Sequence, residues 1–564
     1  MRRLTLLLGC AVLLVLPVRS QAVPGTAELQ RLAQPRLEEF RQLYQAKQFR
    51  DAANVLHELY ATPGMDRLTW EWTNILYNLS CCHALLGEAE PALSFLEQAA
   101  ASGIADPAGI EKDTDLASLH DSPRYREIVE RLRSERALWQ GGAPGSAYRD
   151  TLPEDERLWG LARVWSEVRY NFANFDRVPD LNWDSLYAAF IPRVRAAPST
   201  QEYYLLLQEM CVPLRDGHMG IQYPGELFTR LYSRPPLDTR LVEGRVFVAR
   251  VLADSLARLG IRPGLEIVRM DGVPVREYGE QRIAPREPAS TPQQRDVVTY
   301  EYYLLCGAYQ QPVELEFADA KGRTFVRTLR RSYTRILSFA EDLEFRMLPG
   351  NVAYVALNSL GNEKVVAVFD SLLPSIRKAN ALIIDLRRNS GGNGGYALDI
   401  LATLTDAPFR ISAWKTREYR PLWRAWGLGG GWRVDSTSVW ADRGKEPFRG
   451  PVAVLMGAQT GSAAEDLCVA FDVMKRGEMV GGPTAGTTGQ PLLVPLPGGG
   501  SVRVCTTRNF YPDGREFVGV GVQPDVVVRE TVRDLLAGRD AVLEAALERL
   551  KRSSLGKAAP ARAH

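Results

Sequence analysis

Three short apolar runs constrain this chain most: "NVAYVAL" (351–357), "ALIIDLR" (381–387) and "PVAVLMG" (451–457). None alternates polar with apolar, so each reads as a strand covered on both faces, the habit of parallel sheets flanked by helices. Helical patterns separate them: "EKVVAVFDSLLPSIRKA" after the first, a glycine loop and helix after the second, "SAAEDLCVAFDVM" after the third. From about residue 350 the chain therefore reads as α/β with a mostly parallel sheet. Strand-like "PLLVPL", "SVRVCTTRNF" and "FVGVGV" follow, then a helical tail from about 531.

At 564 residues the chain exceeds one core, and the segments before 350 differ in character. "MRR", the apolar "LTLLLGCAVLLVLPV" and "RSQA" have the form of a secretory signal over 1–22, with cleavage expected after Ala22. A retained anchor is the alternative, but the run is short for a span. "LLGC" looks superficially like a lipoprotein box, although the apolar run continues beyond Cys10. Residues 23–140 are helical and mildly repetitive. Ala52/Leu56/Leu59 and Ala92/Leu96/Ala99 share a spacing that resembles tetratricopeptide repeats. "GGAPGS" (141–146) is a linker, and helical stretches in 150–236 run into the turn "PLRDGHMGIQY". Over 237–333, "GRVFVARV", a short helix and two strands about the Asp271–Gly272 turn resemble a PDZ domain, which takes an extended peptide at a sheet edge. The last two segments are 334–535 and the tail 536–564. Six cysteines remain after Cys10, without CxxC spacing; a Cys211–Cys306 bridge is conceivable after export.

Three places hold polar residues where a site needs them. "DLRRNSGGNGG" (385–395) gathers backbone amides at the end of an apolar strand, suited to an oxyanion or phosphate. Its Gly392, Gly394 and Ala397 satisfy a dinucleotide pattern. The bulky "LRRNS" before the glycines, and the lack of a placed acid about 20 residues on, argue against a nucleotide. Ser462 opens a helix, and Ser462-Ala-Ala-Glu465 taken alone is a capping box. Gly461, Ala463 and Ala464 nevertheless leave room for a substrate, and the helix start favours a developing anion. His218 alone among five histidines sits in a glycine turn opening a strand; His57 and His83 lie in the repeat helices. Charge is balanced, 69 Lys+Arg against 67 Asp+Glu, which gives no argument for nucleic acid. No His/Glu/Cys cluster has metal spacing, so no cofactor is expected.

Taken in order, "ALIIDLRRNSGG", "GSAAE", "VGGPTAGTTGQ" and "GVGVQPDV", behind a PDZ-like segment, resemble the C-terminal-processing (tail-specific) serine protease family over roughly 155–535. The resemblance implies a multidomain α/β protein with a ClpP/crotonase-like β-β-α protease core, a PDZ-like β-domain and an N-terminal α-helical repeat region. It implies Ser462 as nucleophile. Where the Ser–Lys branch has its lysine, this chain has Thr487. Lys475 lies about 20 Å along the same helix and cannot substitute, and Ser375–Lys378 reads as surface. The chain thus looks closer to the tricorn-like branch, with His218 as base. Glu516 is the expected acid, on a strand leaving the Asp513–Gly514 turn; Asp513 is the alternative. That branch also has a serine just before its histidine, where Gly217 stands here, and Asp216 is read as shaping the turn.

The implied chemistry is triad chemistry: Ser462 attacks a peptide carbonyl, His218 takes its proton, Glu516 orients the imidazole, and amides of Gly391 or Gly392 and of Ala463 hold the oxyanion. The expected partners are protein or peptide substrates, with adaptor proteins at the helical repeats and no membrane span after signal removal. The expected place is outside the cytoplasm, periplasmic or secreted. Two other readings stay open: a binding protein on a peptidase-like frame, and a scaffold with an inert core.

Overall fold

The computed structural model describes residues 26–557, apart from Ala105, 141–145, 334–340, Thr437 and 441–445. The signal expected over 1–22 and most of the expected linker lie outside the described residues. The chain forms two units, Met1–Trp139 and Gln140–His564.

The first unit is helical: Thr26–Gln45, Phe49–Tyr60, Thr69–Leu85, Ala89–Ala101, a short Pro107–Lys112, and Pro123–Gln140 at its end. Ala52, Leu56 and Leu59 are buried on the second helix, and Ala92, Leu96 and Ala99 on the fourth. Small and branched residues at that spacing put one stripe of each helix inside.

The second unit is built around a six-stranded sheet. Its strands are β1 (Leu343–Leu348), β2 (Val352–Leu357), β3 (Ala381–Asp385), β4 (Val452–Met456), β5 (Glu478–Gly481) and β6 (Val526–Val527). They lie side by side in chain order; β1 runs antiparallel to β2, and the rest are parallel. β2, β3 and β4 are buried at every position, as runs without alternation require. Helices α1 (Lys364–Arg377), α2 (Gly394–Leu401) and α3 (Ala463–Met474) share a core with Val355, Ile384 and Val454 on one face. Helix α4 (Ala541–Lys557) covers the other through Val542, Ala546 and Leu550.

Two further layers carry the site. Helices Glu154–Asn171, Trp183–Arg195 and Thr200–Cys211 share a core with Val494, Val502 and Val504. A three-stranded sheet, Gly220–Gln222 / Ser501–Cys505 / Pro491–Pro495, closes that core. A separate antiparallel sheet orders Leu237–Val242, Arg245–Val251, Glu266–Met270, Pro312–Ala318 and Thr324–Arg330. Its Asp271–Gly272 turn has φ +50° and +77°, the left-handed pair a two-residue hairpin needs.

Two expectations are corrected. "FVGVGV" (517–522) is a turn rather than a strand, because Gly519 and Gly521 take φ +77° and +93°. The six cysteines among the described residues are free thiols, so Cys211 and Cys306 form no bridge. No helix among the described residues is long and apolar enough to cross a membrane.

Candidate active site

Ser462 sits at the mouth of α3 with φ +54° and ψ −126°. An ordinary N-cap serine lies in the extended region and accepts a bond from the first turn, so a residue serving only as a cap has no use for this strained conformation. The Ser462–Glu465 capping box is present, with the Glu465 carboxyl accepting from the Ser462 amide at 3.3 Å. The Ser462 hydroxyl also stands 3.0 Å from Nε2 of His218.

His218 arrives from the other end of the unit. Pairing of Gly220–Gln222 with Ser501–Cys505 fixes the turn that carries it. Arg503 on the paired strand donates to the carbonyls of His218 (2.9 Å) and Gly217 (2.7 Å). The buried Asp216 carboxylate accepts from the His218 amide at 2.8 Å and from Asn174 Nδ2 at 2.7 Å. Asp216 therefore shapes the backbone of the turn and leaves the ring to others. Burial, with Arg503 adding to it, pushes the imidazole down to about 3, so it is neutral at pH 7 and free to accept the serine proton.

The residue on the second ring nitrogen was not expected. Nδ1 of His218 is 2.8 Å from Thr487 Oγ1. Glu516, the acid chosen from sequence, pairs instead with Lys415 (3.2 Å) and Arg508 (3.6 Å), and its side chain is 39% exposed. Rather than lying on a regular strand, it makes an isolated bridge to Phe510. Asp513 pairs with Arg515 at an exposed turn. Both acids are thus spent on neighbouring arginine and lysine, and the contact at Nδ1 is a hydroxyl. Lys475 pairs with Asp472 at the exposed far end of α3.

The glycine loop after β3 lies against the serine. A Cβ on Gly391 would stand 2.6 Å from Ser462 Cβ, and one on Gly392 would stand 2.2 Å from the Leu360 carbonyl carbon. Both glycines have positive φ, +110° and +138°. The Gly391 amide is already engaged, donating to Asn389 Oδ1 at 2.8 Å, so it is not available to an oxyanion. The amides of Gly392 and Ala463 carry no such bond among the described residues. Gly392 follows the glycine packed against Ser462, and Ala463 is the first residue of α3, where the helix dipole favours negative charge.

Glu465 was read from sequence only as a cap partner. Fully buried, it accepts from the Gly486 amide (2.7 Å), the Thr487 amide (2.8 Å) and the Thr484 hydroxyl, besides Ser462. Burial raises its carboxyl to about 8 against the pull of those donors. The available signal was position: a helix face otherwise made of Ala464, Leu467 and Cys468 carries its acid inward.

The other described histidines lie away from this chemistry. His57 and His83 bond to each other at 3.0 Å, and His83 to Glu88 at 2.6 Å, within the helical unit. A possible cation cluster there, Cys81, Asp113 and Asp115, is engaged by the hydroxyls of Tyr44 and Tyr77.

Comparison with known proteins agrees with the core. Residues 351–528 match the family model described as Peptidase family S41, which marks that segment as a serine-type peptidase region. The chain is 26% identical over 408 residues to tricorn protease homolog 2 of Streptomyces coelicolor, covering 65% of this chain and 30% of that one. It is 25% identical over 203 residues to a carboxy-terminal-processing protease of Bartonella bacilliformis, covering 34% and 42% respectively. The chain thus spans less than half the length of either relative. Among solved structures, mature CPAF complexed with lactacystin superposes with a TM-score of 0.55 at 14% identity, covering 71% of this chain and 98% of that one, a likeness of fold.

Proposed function

We propose, starting from a serine-type peptidase segment at 351–528, that the chain hydrolyses peptide bonds through an acyl-enzyme on Ser462. The 3.0 Å contact between Ser462 Oγ and His218 Nε2, made by a serine held at positive φ, carries this reading. In the proposed cycle Ser462 Oγ attacks the carbonyl carbon while its proton passes to His218 Nε2. The developing oxyanion takes the amides of Gly392 and Ala463 at the start of α3. The protonated His218 then gives its proton to the leaving amine. Water repeats the sequence on the ester, releasing the acid and returning the proton to the serine.

Substrates are read as unfolded or C-terminally presented polypeptides, a reading the PDZ-like sequence pattern over 237–333 supports. The basic and apolar pattern over 1–22 supports a place of work outside the cytoplasm, in a periplasm or medium. One observation favours a non-catalytic binding protein instead. Nδ1 of His218 meets a hydroxyl and not a carboxylate, so the imidazolium formed in catalysis has no direct counter-ion there.

Labelling of the purified protein with a fluorophosphonate, beside degradation of an unfolded protein, separates the two. Labelling lost in Ser462→Ala and in His218→Ala is the expected result. A folded wild type that takes no label and degrades nothing would transfer the case to the binding protein.

A further inference from the structure

Resting on the peptidase reading above, we infer that Thr487 is the positioning residue of this site: its hydroxyl holds His218 in the Nδ1–H tautomer, and Glu465 holds Thr487.

The argument begins with proton counting. To take the serine proton, Nε2 must present a lone pair, so the ring proton sits on Nδ1. That N–H points at Thr487 Oγ1, 2.8 Å away in a buried setting, and the hydroxyl oxygen accepts it. The other tautomer would put a proton between Nε2 and Ser462 and leave the ring unable to act as base. Removing the hydroxyl leaves a buried Nδ1–H without an acceptor, which favours that unproductive form.

Thr487 is itself fixed from three sides. Its amide donates to Glu465 Oε2 at 2.8 Å, and its carbonyl accepts from the Ser462 amide at 2.8 Å. Gly486 before it donates to Glu465 Oε1 at 2.7 Å. Gly486 also takes φ +69°, and a Cβ there would stand 2.5 Å from Thr291 Cγ2 and 2.8 Å from the Gly521 amide. One carboxylate on α3 therefore ties the nucleophile's backbone to the backbone of the group that orients the base. Serine, histidine and threonine are set by a shared scaffold whose acid never touches the imidazole. A neutral hydroxyl stands where triads usually have an anion.

The test compares full-length wild type, Thr487→Val, Thr487→Ala and Thr487→Ser. Fluorophosphonate labelling rates, kcat and KM on a peptide substrate, and ¹⁵N NMR of histidine-labelled protein are measured, with His218→Ala assigning the resonance. Thr487→Val is expected to slow labelling and lower kcat by about 100-fold, with KM within about twofold. The His218 signal should lose its Nδ1–H signature, and Thr487→Ser should restore both to within about fivefold of wild type. Thr487→Ala serves if the valine variant does not fold. Wild-type labelling rates in both hydroxyl-free variants would overturn the inference while leaving the peptidase reading intact. An unreactive wild type would remove the peptidase reading, and the NMR signature then decides alone: an unchanged His218 tautomer in Thr487→Val overturns the role given to Thr487.

Discussion

The two ionisable residues closest to the proposed chemistry have displaced pKa values of opposite sense, and the consequences run in opposite directions with pH. His218 falls from its ordinary 6.5 to about 3, so the unfolded chain binds the extra proton between those values. Its contribution to stability declines as pH falls through that window. Glu465 rises from 4.5 to about 8, so the native state holds the extra proton there, and its contribution declines as pH rises from 4.5 to 8. Thermal denaturation of wild type and Glu465→Gln across pH 5 to 8.5 should show the advantage of wild type shrinking as pH rises; a constant gap would contradict the raised carboxyl. For activity, the neutral imidazole predicts a labelling rate that holds from pH 7 to about pH 5 and does not fall near 6.5. At this scale small residues and glycines single out Ser462 and His218, and the resemblance to a protease family supplies the roles expected of them. The group on Nδ1 was not legible. Thr487 was noticed only as the residue replacing a lysine, and no spacing rule says that its hydroxyl, 269 residues away in sequence, turns toward a ring nitrogen. Glu516 is suited by its place after the Asp513–Gly514 turn, but position in sequence cannot tell a free acid from one already paired with Lys415 and Arg508.

Among elements, the glycine loop after β3 shows how a turn sets a distance. Gly391→Ala places a methyl 2.6 Å from Ser462 Cβ, against backbone of the helix mouth that cannot yield as a flexible side chain does. The expected cost is about 2 kcal/mol in urea unfolding, together with a labelling rate lowered by more than about tenfold. Gly394→Ala, with open space around its Cβ, is the control and should label normally. The strands β2 to β4 were legible because unbroken apolar runs have few alternatives to a doubly covered sheet. The segment 517–522 misled for a related reason: Val518, Val520 and Val522 alternate with a strand's period. Its backbone has another use. Gly519 donates to the Gly486 carbonyl at 2.7 Å, and the Val522 carbonyl accepts from Thr484 at 3.1 Å, so the turn braces the loop carrying Thr487. Periodicity reports which side chains share a face, but it does not reveal where backbone bonds go.

Across the whole second unit, the proposed nucleophile and base belong to different layers: Ser462 to the six-stranded sheet and His218 to the three-stranded one. Arg503, on the strand paired with Gly220–Gln222, holds the histidine turn by clasping two of its carbonyls. Arg503→Met should slow labelling by roughly tenfold, since both charge-assisted bonds to the turn are lost. Arg503 lies outside the six-stranded sheet β1–β6, so a coincident loss of far-ultraviolet dichroism would point to unfolding instead. The helical N-terminal region and the alternation of strands and helices after about 350 could be read from composition and period. The meeting of residues 218 and 462 could not, because it depends on the pairing of Gly220–Gln222 with Ser501–Cys505.

That pairing also imposes an order in time. Synthesis proceeds from the N-terminus, so the histidine turn is made first, the serine follows, and the strand that aligns them comes almost 40 residues later still. A growing chain halted between these points carries both reactive side chains and no means of bringing them together. On the proposed chemistry, reactivity is thereby withheld from the nascent polypeptide until Ser501–Cys505 has emerged.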